Sequence, residues 1–515
     1  MKPKLIKLED NIVDSLQDSL YQTLGLEKFQ LYFPAMSLYF NYYNNDSYKK
    51  FTLDSKYLLK NLEKPLEDEF KDSYIKHMYN GTIFNTKDKT EENCKVFLKM
   101  SPILDVISYL KNEYNLSHSD TPNIFSYMTN NKINSYHNSA YIDNLFTYLG
   151  SKYNEKNLCP SFPEYYGGFI GVSSKYEFDI TEEYDMIEEC TWFKRCKDTL
   201  FKLRIEEISK ELETKIEFEE KSPTSEVSNE IDNDVEFDNL SDILDESEWE
   251  TEPDEQTMEN NDNDSVSSLP SSISEINCIN DKIYYCQFKK FPVQVVAMEK
   301  MAYTLENLIE ELNYEMSEEE WLGVLFQICF ALSVGFKNNK FVHNDLHCSN
   351  VMFKETEDEY LYYKYKSNVY RIPTFGKITK IIDFGRATFE IKNQVFFSDV
   401  FKKNGDAEGQ YSFPYTNTLK GCKIKPNPSF DLCRLSKTII DYIPEESDVY
   451  KLLELWSSDK YGNNLLYHDD DFDLYKLIAR DVKSAVPIKQ LEKKVFKRFI
   501  IDEIKVPDNV IIYNL

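Results

Sequence analysis

Apolar residues along this 515-residue chain fall into short bounded runs and into longer stretches with helical spacing. The run Phe291-Pro-Val293-Gln-Val295-Val296-Ala-Met298, rich in β-branched residues and closed by Glu299 and Lys300, predicts a buried strand. Thr304–Asn313 (TLENLIEELN) predicts a short helix. Ser317, with Glu320 three residues on, has capping-box spacing and opens Trp321–Phe336 (WLGVLFQICFALSVGF), a helix apolar enough to be buried. Residues 66–215 alternate short apolar runs with helical stretches, an α+β texture. Residues 1–65 mix helical patterning with aromatic runs such as LYFPAMSLYFNYYNN and predict an extension packed on the α+β region after it. No repeat at a solenoid period is visible.

One segment breaks this texture. Residues 217–277 hold 21 acidic residues against the single base Lys221, with eleven serines. Too little apolar surface is present to offset chain entropy, which predicts a disordered acidic insert. The insert accounts for −20 of the formal net charge of −29, and the other 454 residues carry an ordinary −9. Two readings stay open for it: a solvated loop of drifted composition, or a regulatory arm. In the second, Ser225, Ser241 and Ser247, each followed by an acid, would suit an acidophilic kinase, and the arm would meet a regulatory partner.

The acidic balance argues against general nucleic-acid binding, which rests on Lys/Arg displacing counterions from phosphates. No sufficiently apolar run predicts a membrane span, and the start MKPKLIKLEDNIVD lacks the apolar core of a secretory signal. Ten scattered cysteines without a CxxC pair give no zinc or redox motif and suit a reducing, intracellular setting, cytoplasmic or nuclear.

The chemistry concentrates in two stretches. Phe341-Val-His343-Asn344-Asp345-Leu-His347-Cys-Ser-Asn350 comes after the long apolar helix, and Lys380-Ile-Ile-Asp383-Phe384-Gly385-Arg386 sets an aspartate at the end of an apolar strand. Asp345 and Asn350, five apart in a loop, can converge with Asp383 on one volume. Hard oxygen ligands with vacant positions suit Mg²⁺, which takes further oxygens from a substrate phosphate. An aspartate left beside the metal can accept a hydroxyl proton.

H-x-D-x-x-x-x-N followed by apolar-apolar-D-F-G resembles the catalytic and metal-binding loops of the protein-kinase superfamily. Asp345-Leu-His347-x-x-Asn350 and Phe430-Asp431-Leu-Cys-Arg434 are similar in texture to the haspin group, and the Asn/Tyr/Lys-rich, glycine-poor composition is similar to that of predicted kinases of giant DNA viruses. A viral origin would place the protein in the host cell or the virion.

The resemblance covers about residues 80–174 and 292–440. It implies an α+β, bilobal fold: extension 1–65, a β-rich N-lobe over 66–303 that includes the acidic insert, and a mainly helical C-lobe with its tail over 304–515. It implies Asp345 as catalytic base, Asn350 and Asp383 as Mg²⁺ ligands, and a structural His343. Lys99, in Val96-Phe97-Leu98-Lys99, would contact the ATP phosphates, with Asp143 as its acidic partner and Glu155 as a fallback. Gly81 is the one candidate for the glycine-rich loop. Met298 would sit near the gatekeeper, with Glu299 and Met301 offering backbone to adenine. Asp431 is either a helix-capping acid or the aspartate that braces the catalytic loop.

Three departures modify these expectations. Asn344 replaces the arginine before the catalytic aspartate, so a phosphate-ordered activation loop is not expected. His347 replaces the lysine that neutralises the transferring phosphate, and no A-P-E closes the segment after Asp383. The leading expectation is an ATP- and Mg²⁺-dependent kinase of protein Ser/Thr hydroxyls. The alternatives are a pseudokinase scaffold and a small-molecule kinase.

Overall fold

The computed structural model describes residues 3–38, 50–65, 77–114, 120–124, 129–207, 282–403, 405–413, 422–469 and 472–515. The acidic segment 217–277, with the disorder expected of it, lies outside these residues.

Helix α1 (Asp10–Leu24) precedes β1 (Leu26–Gln30), and β2 (Tyr57–Pro65), β3 (Met78–Asn85) and β4 (Glu91–Pro102) come next. After the long helix α2 (Ser139–Glu155) come β5 (Tyr165–Ser173) and β6 (Phe291–Glu299). These six strands form one antiparallel sheet in the order β1-β5-β6-β4-β3-β2. The expected extension is therefore drawn into the sheet: β1 pairs with β5 at one edge and β2 with β3 at the other. Leu58, Leu59 and Leu62 of β2 are buried there, so the boundary expected at residue 65 falls at the end of a sheet strand. A three-stranded sheet (Glu177–Asp179, Lys282–Phe288, Phe201–Glu207) continues from the far end of β5 and β6.

In β4 the two-residue period buries Val96 and Leu98 and leaves Phe97 and Lys99 half-exposed on the other face. The antiparallel register sets Lys99 opposite Val296 of β6. Helix α2 is capped by Asn138, whose side chain accepts from the Ala140 N–H, and is buried from Ala140 to Tyr153. Burial on all sides is what a helix wedged between two layers requires.

The second lobe is built on α3 (Glu318–Asn339). Ser317 Oγ accepts from the Glu320 N–H at 3.2 Å, giving half of the expected capping box. The Glu320 carboxylate forms instead a buried ion pair with Lys377. The helix is long and apolar enough to cross a membrane, yet 89% of its most apolar window is buried inside the protein. Strands β7 (Val351–Glu355) and β8 (Lys377–Ile381) pair antiparallel with Val351 opposite Ile381. A four-stranded sheet includes the tail, where Ile512–Asn514 runs parallel to Tyr360–Tyr365. Arg498 of the tail pairs with Glu318 and Asp448. Helices α4 (Phe430–Ile439) and α5 (Phe472–Asp481) complete the frame of the site. The architecture is α+β, with a β-rich and a mainly helical part, compatible with the bilobal kinase-like fold.

Glu299, at the end of β6, ties the two parts together. Its carboxylate pairs with Lys380 Nζ at 2.6 Å and Lys354 Nζ at 2.5 Å, and accepts the Glu164 N–H at 3.0 Å. Burial would raise its pKa, but Lys380 and then Lys354 outweigh burial and hold the carboxyl below its usual range. Removing one member of a buried pair leaves an uncompensated charge, here on Lys380, whose side chain is 2% exposed. Glu299→Ala should cost about 3–5 kcal/mol in urea unfolding at neutral pH. A lowered folded pKa gives stability that is present above the unfolded value and lost as pH falls through the folded one. The deficit of the variant should therefore shrink in acid, and a deficit independent of pH would count against the ion pair as its cause.

Candidate active site

Three separated pieces of chain converge at Lys99. Its Nζ lies 2.8 Å from Asp143 Oδ2 of α2 and 2.8 Å from Asp383 Oδ1, just past β8. Asp143 Oδ1 also accepts the Phe384 N–H at 2.8 Å. The shorter aspartate thus reaches the lysine, and Glu155 is not needed: it binds Lys152 and the Lys56 N–H at the far end of α2. Asp143 is 2% exposed, and burial pushes its pKa up against the pull of Lys99. For Asp383 burial also opposes ionisation, but Lys99 wins and takes the carboxyl down to about 2. Burial opposes the charge on Lys99 as well, and the two carboxylates more than restore it.

Phe384 fills the gap beneath this bridge. Its ring centroid is 4.8 Å from Phe146 of α2, 5.9 Å from Phe341 and 5.6 Å from His343. His343 is fully buried, its Nε2 bonded to the Ile382 carbonyl at 2.8 Å, which is the structural place expected for it. Asp383 has φ 62°, a left-handed conformation that swings its carboxylate toward Lys99 while Phe384 stays in the core.

The loop before β7 carries Asp345 and Asn350. Asn350 Nδ2 donates to the Asp345 carbonyl at 2.9 Å and contacts His347 Nε2 at 3.0 Å. Because the Asn350 backbone carbonyl accepts the Ile382 N–H, Asn350 and Asp383 are neighbours across the β7/β8 ladder. Among the described residues none donates to Asn350 Oδ1 or Asp383 Oδ2. None of the described residues forms a cluster of three or more His, Cys, Asp or Glu able to hold a metal. Two neighbouring hard oxygens with no further protein donor fit Mg²⁺, which completes its shell with water and phosphate.

Asp431 at the start of α4 accepts the N–H groups of His343 and Asn344 through its two oxygens, each at 2.9 Å. Of the two open readings, the brace is the one the geometry takes. Asn344 has φ 65° and is fully buried. Its Nδ2 donates to the Arg386 carbonyl at 3.0 Å and Thr388 Oγ1 at 3.3 Å, and its Oδ1 accepts from Tyr411 OH at 2.7 Å. A neutral amide thereby ties the loop carrying Asp345 and Asn350 to the segment after Asp383, where the resemblance has an arginine.

Asp345 itself is held from elsewhere. Tyr475 OH of α5 donates to Asp345 Oδ1 at 2.9 Å, and Arg386 Nε lies 3.6 Å from Asp345 Oδ2. Sequence reading gave neither residue a role. Arg386 directly follows the D-F-G triplet, a position that could have drawn notice, whereas Tyr475 lies in a distant amphipathic helix and has no local signal.

One expected nucleotide contact is not brought to the site as read. Gly81 lies inside β3, opposite Cys94 and not Lys99. A Cβ there would come within 2.9 Å of the Asn61 carbonyl and 3.1 Å of Val96, so close strand packing accounts for the glycine. The connection between β2 and β3, residues 66–76, lies outside the described residues. Glu299 commits its N–H to the Glu164 carbonyl and its carboxylate to the lysine clamp. Met298, opposite Phe97, and Met301 are both buried near the end of β6.

No family model matches the chain. A stretch of 93 residues is 34% identical to serine/threonine-protein kinase haspin of Mus musculus, covering 18% of this chain and 12% of that protein. A stretch of 131 residues is 26% identical to the serine/threonine-protein kinase haspin homolog of Drosophila melanogaster, covering 24% of this chain and 23% of that protein. A probable serine/threonine-protein kinase of Dictyostelium discoideum is 25% identical over 116 residues, 21% of this chain and 9% of that protein. The matches thus span less than a quarter of these relatives' length, and the chain has partial similarity to serine/threonine kinases.

The brace at Asp431 is testable through its titration. Burial raises its carboxyl to about 7, against the pull of the two N–H groups. Between the ordinary aspartate range and about 7 the unfolded chain gives up the proton while the folded protein keeps it, so stability falls as pH rises through that window. Asp431→Asn does not titrate and leaves one loop N–H without an acceptor, at a cost of about 1–3 kcal/mol. The advantage of wild type over the variant in urea unfolding should therefore shrink from pH 5 to pH 8, and a gap that widens would contradict the assignment.

Proposed function

We propose that the protein is an ATP- and Mg²⁺-dependent protein kinase acting on serine or threonine hydroxyls. The observation that carries this reading is the bridge Asp143–Lys99–Asp383 beside Asn350, with Asp345 held on the same loop by groups of its own. Lys99 is the cation for the nucleotide phosphates, taking them in exchange for its contact with Asp383. Asn350 and Asp383 would hold Mg²⁺, which supplies neutralisation of charge on the β- and γ-phosphates. Asp345 orients the acceptor hydroxyl and takes its proton as the oxygen–phosphorus bond forms and ADP leaves. Catalysis of this kind is mostly positioning, which the buried aromatic contacts of Phe384 and the Asp431 brace provide. Partial similarity to proteins named serine/threonine kinases supports a protein acceptor over a small molecule.

Radiolabelled γ-phosphate transfer to the chain itself and to a generic basic protein tests the reading. Asp345→Asn should lower transfer by about 10²–10⁴-fold while Mg-ATP still raises the melting temperature. Asp383→Asn should lose both transfer and that rise. Wild-type protein showing neither label nor a Mg-ATP-dependent rise would leave the scaffold reading in its place.

A further inference from the structure

A phosphoryl group in flight spreads negative charge over its three equatorial oxygens, so a cation is needed beside the acceptor as well as at the nucleotide. Lys99 stands at the nucleotide end, bridged to Asp143 and Asp383. On the catalytic loop the nearest candidate is His347, but its ring is already engaged. Nε2 meets Asn350 Nδ2 at 3.0 Å, while Nδ1 bonds Ser349 Oγ at 3.1 Å. Both ring nitrogens of His347 are thus engaged within the loop, and neither is left to aim at a phosphate.

Arg386 is differently placed. Its Nε is 3.6 Å from Asp345 Oδ2, close enough for charge attraction and too long to use up a guanidinium hydrogen in a hydrogen bond. The side chain is 21% exposed, much like that of Asp345 at 22%, so neither is sealed from solvent. Its carbonyl is anchored by Asn344 Nδ2, which fixes the point from which the side chain departs. Its guanidinium carbon lies 5.8 Å from the centre of the Tyr475 ring. Arg434 approaches the same ring at 5.2 Å, and its Nε donates to Tyr475 OH at 3.0 Å. Tyr475 OH, receiving from Arg434, turns its own hydrogen to Asp345 Oδ1. The two oxygens of Asp345 are thus oriented from two directions, one by a hydroxyl and one by a cation.

We propose that Arg386 is the cation that meets the transferring phosphoryl group beside the acceptor hydroxyl, and that Tyr475 is the positioning residue that sets the Asp345 carboxylate for that encounter. The proposal rests on the kinase reading above. In the step, the acceptor oxygen forms its bond to the γ-phosphorus as the bond to the bridging β,γ-oxygen breaks. The hydroxyl proton passes to Asp345, ADP carries away the bridging oxygen, and Arg386 donates hydrogen bonds to the equatorial oxygens throughout.

The test uses the full chain with Arg386→Ala, Arg386→Lys and Tyr475→Phe, measuring phosphate transfer to a generic basic protein together with the Mg-ATP-dependent melting shift. Arg386→Ala should lower kcat by about 10²–10³-fold with KM for ATP within about threefold of wild type, since the contact is made in the transition state. Added guanidinium ion should restore part of the loss, and Arg386→Lys should keep part of the charge effect. Tyr475→Phe should lower kcat by about tenfold and leave the melting shift in place, in line with the loss of one hydrogen bond to a charged group. Transfer by Arg386→Ala within about threefold of wild type would overturn the proposal and leave the kinase reading standing. So would a loss that appears wholly in KM, or one that neither guanidinium nor lysine relieves. Wild-type protein that neither transfers phosphate nor is stabilised by Mg-ATP would overturn both.

Discussion

The carboxylate of Asp143 is the contact on which the site depends. One oxygen holds Lys99 and the other receives the Phe384 N–H, so a single buried side chain joins the β-rich lobe, helix α2 and the loop that carries Asp383. Burying a carboxylate at this depth is costly unless it is paired and hydrogen-bonded, and Asp143 is both. The contact is also geometrically strict. An aspartate brings the helix backbone nearer the lysine than a longer acid would. A Cβ on Gly168 would come within 2.2 Å of Asn144 Oδ1, so the glycine of β5 leaves the room taken by the buried Asn144 side chain, next to Asp143 in α2.

The chemistry-bearing residues were readable in the sequence because their spacing is local. Asp345 and Asn350 share one loop, and Asp383 ends one strand. The long apolar helix before them could be read for the same reason, since its pattern is carried by consecutive turns. Asp143 was visible as the acid of its helix, but the choice between it and Glu155 depends on which end of α2 faces Lys99, and only the fold sets that. What could not be read were partners brought in by topology. Tyr475 reaches Asp345 from a helix far along the chain, and Glu299 finds Lys354 and Lys380 only when β6 abuts β7 and β8. The first strands were hidden for a different reason: β1 and β2 are edge strands whose apolar alternation is interrupted by charge, as edges commonly are.

Glycine-poor composition has a local explanation too. Gly81 looked like a remnant of a phosphate-cradling loop because it was the one glycine upstream of Lys99 within reach. In the sheet it serves strand packing against Asn61 and Val96. A residue type that admits both explanations cannot be assigned from its neighbours in sequence, whereas a carboxylate between a lysine and a backbone N–H leaves little choice.

The amide of Asn344 ties the Asp345 loop to the Arg386 carbonyl and to the hydroxyls of Thr388 and Tyr411, all neutral groups. An arginine in that place would need an anion to satisfy it, and the strength of such a pairing would vary with ionic strength and with whatever supplied the anion. The amide is complete within the unmodified chain. Dissolved salt barely screens it, and a phosphatase would find nothing there to remove.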